Sequence, residues 1–137
     1  MSLLTILASG ARTASGIGSV VHVQNYTCRL IALLDVTATA SIATDSLDVF
    51  IQDSIDNVNF TDMVRFNRVP GNVGVQQYYA TVNLFSPPSI DQGPIEDCVN
   101  NGPGARQGPC GYYIRPKYVI SGGESKSFSF SLKLWRL

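Results

Sequence analysis

The sequence predicts an all-β fold, an antiparallel β-sandwich or jelly roll of about eight strands with little or no helix. Three observations predict it. Apolar residues recur with a period of two along several short runs, Gly, Pro, Asn, Asp and Ser clusters separate those runs, and no window places apolar residues at i, i+3, i+4 and i+7 between helix caps. A length of 137 residues suits one core and is short for two domains of ordinary size. The expected organisation is an N-terminal strand or arm with a flexible tether over residues 1–18, followed by one sandwich over 19–137 with a long loop insertion at 85–111.

The elements follow in chain order. Residues 3–8 form a short apolar strand, and the Gly/Ser/Ala-rich stretch 8–18 reads as a tether behind it. With that tether, Leu3, Leu4 and Ile6 are candidates for an interaction arm that pairs with a neighbour's sheet edge; the alternative is an ordinary first strand of the chain's own sheet. A strand over 18–25 carries His22. Over 27–40, Cys28, Leu30, Ala32, Leu34, Val36 and Ala38 share one face while Ile31 and Leu33 interrupt the other, which predicts a strand covered on both sides or lying in a subunit contact. Leu47, Val49 and Ile51 alternate with Asp48 and Gln52, and the next alternating run, 61–67, is reached through Ser54–Phe60. There Asp56-Asn57 tolerates left-handed backbone and predicts a hairpin.

Strands over 75–84 and 112–120 come next. Pro116 cannot donate to a ladder, so its strand belongs at an edge or a bulge. In 127–134, Phe128, Phe130, Leu132 and Leu134 share one face and Ser127, Ser129, Ser131 and Lys133 the other. The stretch 85–111 holds five of the seven prolines and no periodicity, and a connection of that length is usually functional. Cys98 and Cys110 flank its turn-rich end; free thiols are expected in a reducing cytoplasm, and the alternative is a disulfide between them that would close a compact exposed loop.

Composition limits the function classes. Ten basic and ten acidic residues give a net charge of zero, and charged residues make up only 15% of the chain. Nucleic acid is therefore not an expected partner, and Arg106, Arg115, Lys117, Lys126, Lys133 and Arg136 read as scattered. Apolar residues at 45% with so little charge suit a component that presents uncharged surface to partners. The N-terminus has no basic region ahead of its apolar run and no run reaches membrane-span length, so a soluble protein made in the cytoplasm, without membrane association, is expected.

Catalysis has little to work with. His22 is the single histidine, no G-x-S-x-G elbow exists, and an enzyme is not expected. Asp53, Asp56, Asn57, Asn59 and Asp62 lack the spacing of a calcium loop. His22, Cys28, Cys98 and Cys110 contain no C-x-x-C pair for zinc, so neither metal nor cofactor is expected. The tripeptides at Asn25 and Asn59 match the glycosylation acceptor but lack a secretory context. Tyr78, Tyr79, Tyr112 and Tyr113, with Tyr118, come from two segments that could pair, either as interface aromatics or as pairs within a sheet.

LDVFIQDSIDNVNFTDMVRF, then YYIRPKYVISGG, then SFSFSLKL together resemble a widespread class of small structural proteins of tailed bacteriophages. In that class a Q-x-S-x-D-G-x-x-W-x-D-like hairpin precedes an "IRPK/IRV" strand and an alternating "S-F-T-F-S-V" strand closes the domain. Asn57 stands where the pattern prefers Gly and Phe60 where it prefers Trp, and residues 85–110 depart from it as an insertion. The resemblance covers residues 10–84 and 111–134 and implies a β-sandwich or jelly roll. It further implies a non-enzymatic virion protein on the outer capsid surface, a decoration or cement protein that bridges subunits of the major capsid protein, commonly as a homotrimer. A tail-tube, tail-terminator or neck protein is the first alternative. A host- or carbohydrate-binding sandwich, with exposed tyrosines and Trp135 as stacking platforms, is the second.

Overall fold

A computed structural model describes residues 2–23, 29–84, 104–106 and 110–137. Cys28, Cys98 and most of the 85–111 insertion lie outside the described residues. The described chain is all-β, with eleven strands in chain order. They are β1 (Ser2–Arg12), β2 (Gly16–Ile17), β3 (Val21–His22), β4 (Arg29–Thr39), β5 (Ser46–Ser54), β6 (Thr61–Arg65), β7 (Val69–Pro70), β8 (Gln76–Asn83), β9 (Gly104–Ala105), β10 (Tyr113–Ser121) and β11 (Phe128–Arg136). Two antiparallel sheets pack face to face. One has the order β1-β11-β4-β8; the other has β2-β10-β5-β6-β9, with β3 also on β10 and β7 also on β5.

The alternation legible in the sequence decides what each sheet buries. Phe128, Phe130, Leu132 and Leu134 of β11, with Leu30, Ala32, Leu34 and Val36 of β4, face Leu47, Val49 and Ile51 of β5 and Ile114 of β10. Each such buried Phe, Leu, Ile or Val side chain contributes about 1.5–3 kcal/mol relative to exposure. The β5–β6 connection is the hairpin expected from Asp56-Asn57: Asn57 takes a positive φ of 59°, and the Asp56 carboxylate accepts from the backbone N–H groups of Val58 and Asn59 at 2.9 and 2.8 Å.

The N-terminal segment differs from its expectation. Residues 8–12 continue β1 instead of forming a tether, because bulges between Thr5 and Leu7 and between Leu7 and Gly10 absorb the irregular pattern. Arg12 locks these bulges: its guanidinium donates to the carbonyls of Ala8, Gly10 and Phe130 at 2.7, 3.0 and 2.9 Å. Two glycines read as flexible are instead sites of close approach. A Cβ on Gly16 would lie 2.5 Å from the Tyr118 hydroxyl, and one on Gly18 would collide with the Pro116 ring.

Pro116 is not on an edge strand. β10 pairs with β5 on one side, where Pro116 lies opposite Ile51. On its other side the ladder is broken into β2, opposite Lys117 and Tyr118, and β3, opposite Tyr113 and Ile114. The Pro116 carbonyl accepts from Gly18 N at 2.9 Å, so its donor-less nitrogen also faces that break. β1 thus edges one sheet while β2 and β3 edge the other, and the N-terminal chain spans one side of the sandwich.

Candidate functional site

Two outer sheet faces and one end of the sandwich carry the candidate functional side chains. On the seven-stranded sheet, Asp48, Phe50 and Gln52 point away from the core, yet every residue of β5 is buried. Side chains from neighbouring strands cover them. Asp48 accepts from Arg65 Nη2 at 3.3 Å and from Arg68 through Nε at 3.1 Å and Nη2 at 2.8 Å. That pairing holds the Arg68 guanidinium above its usual pKa although its side chain is 60% exposed. Phe50, 1% exposed, lies opposite both Arg65 and Lys117 in register. Their cationic groups stand 5.7 and 5.1 Å from its ring centroid. Gln52 donates to Asp62 at 2.8 Å and accepts from Arg115 Nε at 2.9 Å. The Arg115 guanidinium lies 3.9 Å from the centroid of Phe60.

This face therefore holds four cations, Arg65, Arg68, Arg115 and Lys117, against two carboxylates, Asp48 and Asp62, a balance of 4 − 2 = +2 on a chain whose net charge is zero. Arg115 and Lys117, which read as scattered along the chain, are joined here by Arg65 and Arg68 from a second, distant stretch. The signal available in the sequence was the i, i+2 placement of Arg115 and Lys117, which puts both on one side of a strand.

The outer face of the four-stranded sheet is of opposite character. Cross-strand register sets Leu3 beside Trp135 and Trp135 beside Ile31. In the adjoining row Leu33 lies between Lys133 and Tyr79. Leu3 is 52% and Tyr79 66% exposed, and Ile31 and Trp135 are half-buried. Leu33, outside the core cluster, is nonetheless buried. The interruption of the polar face at Ile31 thus becomes part of an apolar band on the surface, while Leu33 is buried within the same face.

At the hairpin end, His22 stacks on Tyr112 with centroids 6.3 Å apart and meets Tyr113 edge-on at 5.4 Å. His22 and Tyr112 are exposed. Nearby, Asp53 ties down the returning limb of the insertion: its carboxylate accepts from Arg106 Nη2 at 2.6 Å, Gly111 N at 2.8 Å and Thr61 Oγ1 at 3.2 Å. Cys110 carries a free, half-buried thiol packed against the core. Burial pushes that thiol above its usual pKa and the Asp53 carboxylate adds to the effect, which disfavours the reactive thiolate. Its proposed partner, Cys98, lies outside the described residues.

The other residues singled out in the sequence fall as follows. Leu3, Leu4 and Ile6 form part of β1, paired with β11 of the same chain, with Ile6 buried and Leu4 packed against the core. This is the own-sheet alternative, and it is favoured because the run buries apolar side chains that an extended arm would leave in water. The two tyrosine segments do not pair: β8 lies on β4 in one sheet and β10 on β5 in the other. Tyr78 packs inward, where burial raises its pKa, and Tyr79 points out. Among the described residues, no group of three His, Cys, Asp or Glu side chains could hold a metal ion. No described helix is long and apolar enough to cross a membrane. Comparisons with protein-family models, curated proteins and solved structures find no match.

Proposed function

We propose that this chain is a non-enzymatic structural protein of a tailed-phage virion that decorates the outer capsid surface and bridges subunits of the major capsid protein. The sequence resemblance supplies the virion setting. The observation that carries the docking role is the band of Leu3, Ile31, Tyr79 and Trp135 on the outer face of the four-stranded sheet. A cement protein adds contact area across seams between shell subunits, and many copies convert a modest contact into large avidity. A rigid sheet face is suited to this because little conformational freedom is lost on docking. Homotrimers at local three-fold positions are the arrangement implied by the resemblance.

The test compares expanded heads with and without the protein for resistance to heat and chelator. Heads carrying it are expected to survive the harsher treatment, and the variant Ile31→Asp/Trp135→Asp is expected to bind them about tenfold less well, the equivalent of about 1.4 kcal/mol. Equal resistance of bare and decorated heads would remove the cement role and favour a tail or neck position, which labelled-antibody electron microscopy of virions locates directly. The exposed His22–Tyr112 stack favours a second reading, a host-carbohydrate platform. That reading requires saturable binding of host-surface polysaccharide that is lost in Tyr112→Ala.

A further inference from the structure

The cationic face of the seven-stranded sheet lies on the opposite side of the sandwich from the apolar band and is not used by the function proposed above. Two of its cations differ from the others. Arg65 and Arg68 are engaged with Asp48, whereas Arg115 and Lys117 form no ion pair among the described residues. Among the described residues, Arg115 is bound only to the neutral Gln52 amide oxygen and stacked on Phe60; Lys117 stands over Phe50. Both are half-buried and oriented from below by aromatic rings, so the rotamer entropy that an exposed basic side chain loses on binding is already partly spent. They are two residues apart on one face of β10, about 6.6–6.8 Å along the strand. Ile17, exposed beside Lys117 on β2, adds an apolar shoulder.

We propose that this face docks an acidic segment of a protein partner, with Arg115 and Lys117 receiving carboxylates carried at alternate positions of an extended stretch. The spacing of the two cations equals the i, i+2 repeat of such a stretch. Charge complementarity argues for the acid, since a face of +2 on a neutral chain attracts local negative charge. The two carboxylates on the same face argue against a nucleic-acid backbone. That backbone presents a charge every ~1.7 Å of duplex axis and would have to lie across Asp48 and Asp62, whereas a peptide can place its charges at Arg115 and Lys117 alone. The inference does not depend on the phage setting.

The test uses the full chain and poly-L-glutamate as the probe, with a single-stranded oligonucleotide as the competing polyanion. Binding to polyglutamate is expected at low ionic strength and should weaken as salt rises from about 0.01 M to about 0.15 M, where the screening length falls from roughly 30 to 8 Å. Arg115→Gln/Lys117→Gln is expected to lose about tenfold in affinity, while Arg29→Gln/Lys133→Gln, on the other sheet, should bind as the parent does. Chemical-shift mapping on the unaltered protein keeps the proposal testable even if the double variant misfolds: perturbations should centre on 113–119 and on the rings of Phe50 and Phe60. Unchanged affinity in the double variant, perturbations centred elsewhere, or tighter binding of the oligonucleotide than of polyglutamate would each overturn it. None of these outcomes bears on capsid binding through the apolar band, so the two proposals fail separately.

Discussion

Asp56 stands in solvent, yet its carboxylate accepts four hydrogen bonds, from Ser54 Oγ, Val58 N, Asn59 N and Asn59 Nδ2, all at 2.7–2.9 Å. The two backbone donors are the largest cause of a pKa held far below the ordinary 3.8. A depressed carboxyl stabilises the fold above its unfolded pKa and loses that contribution as pH falls toward the folded value. The stability gap between the parent and Asp56→Ala should therefore be full at neutral pH and narrow steadily below about pH 5, as followed by urea denaturation at several pH values. The turn was legible because all its chemistry is local. Asp48 was not: its partners, Arg65 and Arg68, lie across the hairpin, and alternation predicted only that it points away from Leu47 and Val49. Asp48 is the buried carboxylate shared by the buried Arg65 and the more exposed Arg68, so Asp48→Ala should cost about 3 kcal/mol in a denaturant titration. A cost near zero would mean that water already serves both arginines.

At the scale of elements, β1 separates what periodicity reports from what it leaves open. Leu3, Leu4, Ile6 and Leu7 signalled a strand, but no pattern within a strand states whose sheet it joins, and Gly16 and Gly18 looked like slack behind it. In the fold, those glycines admit Tyr118 and Pro116, and Ile6 and Leu7 are buried. Losing two such side chains costs about 3–6 kcal/mol, before counting the ladder to β11, against a total stability of roughly 5–15 kcal/mol for a small domain. Deletion of residues 1–9 is accordingly expected to abolish or severely weaken cooperative thermal unfolding measured by circular dichroism. A truncated chain that melted within a few degrees of the parent would restore the arm. Arg12→Ala, which strips the bulge carbonyls of Ala8, Gly10 and Phe130 of their shared donor, should destabilise by about 1–3 kcal/mol in the same assay.

For the whole molecule, the low charge content takes on a spatial meaning. Strand alternation made the two core-facing layers legible, but the pairing order β1-β11-β4-β8 and β2-β10-β5-β6-β9 joins strands far apart in sequence, and only that order assembles the outer faces. It sets Arg65, Arg68, Arg115 and Lys117 on one side of the sandwich and Leu3, Ile31, Tyr79 and Trp135 on the other. The apolar side has a limited reach. Four strands span about 19 Å and some eight residues about 26 Å, a footprint of about 500 Å². A standard stable interface buries about 800 Å² per partner, so the band alone falls short of a self-sufficient dimer or trimer. The free protein is expected to sediment as a monomer at micromolar concentration, and trimers should form only where a shell holds the copies side by side and raises their effective concentration. Sedimentation velocity on the purified chain checks this. A stable trimer in solution would mean that subunit contacts extend beyond the band, and the trimer would then be the unit that docks on the capsid.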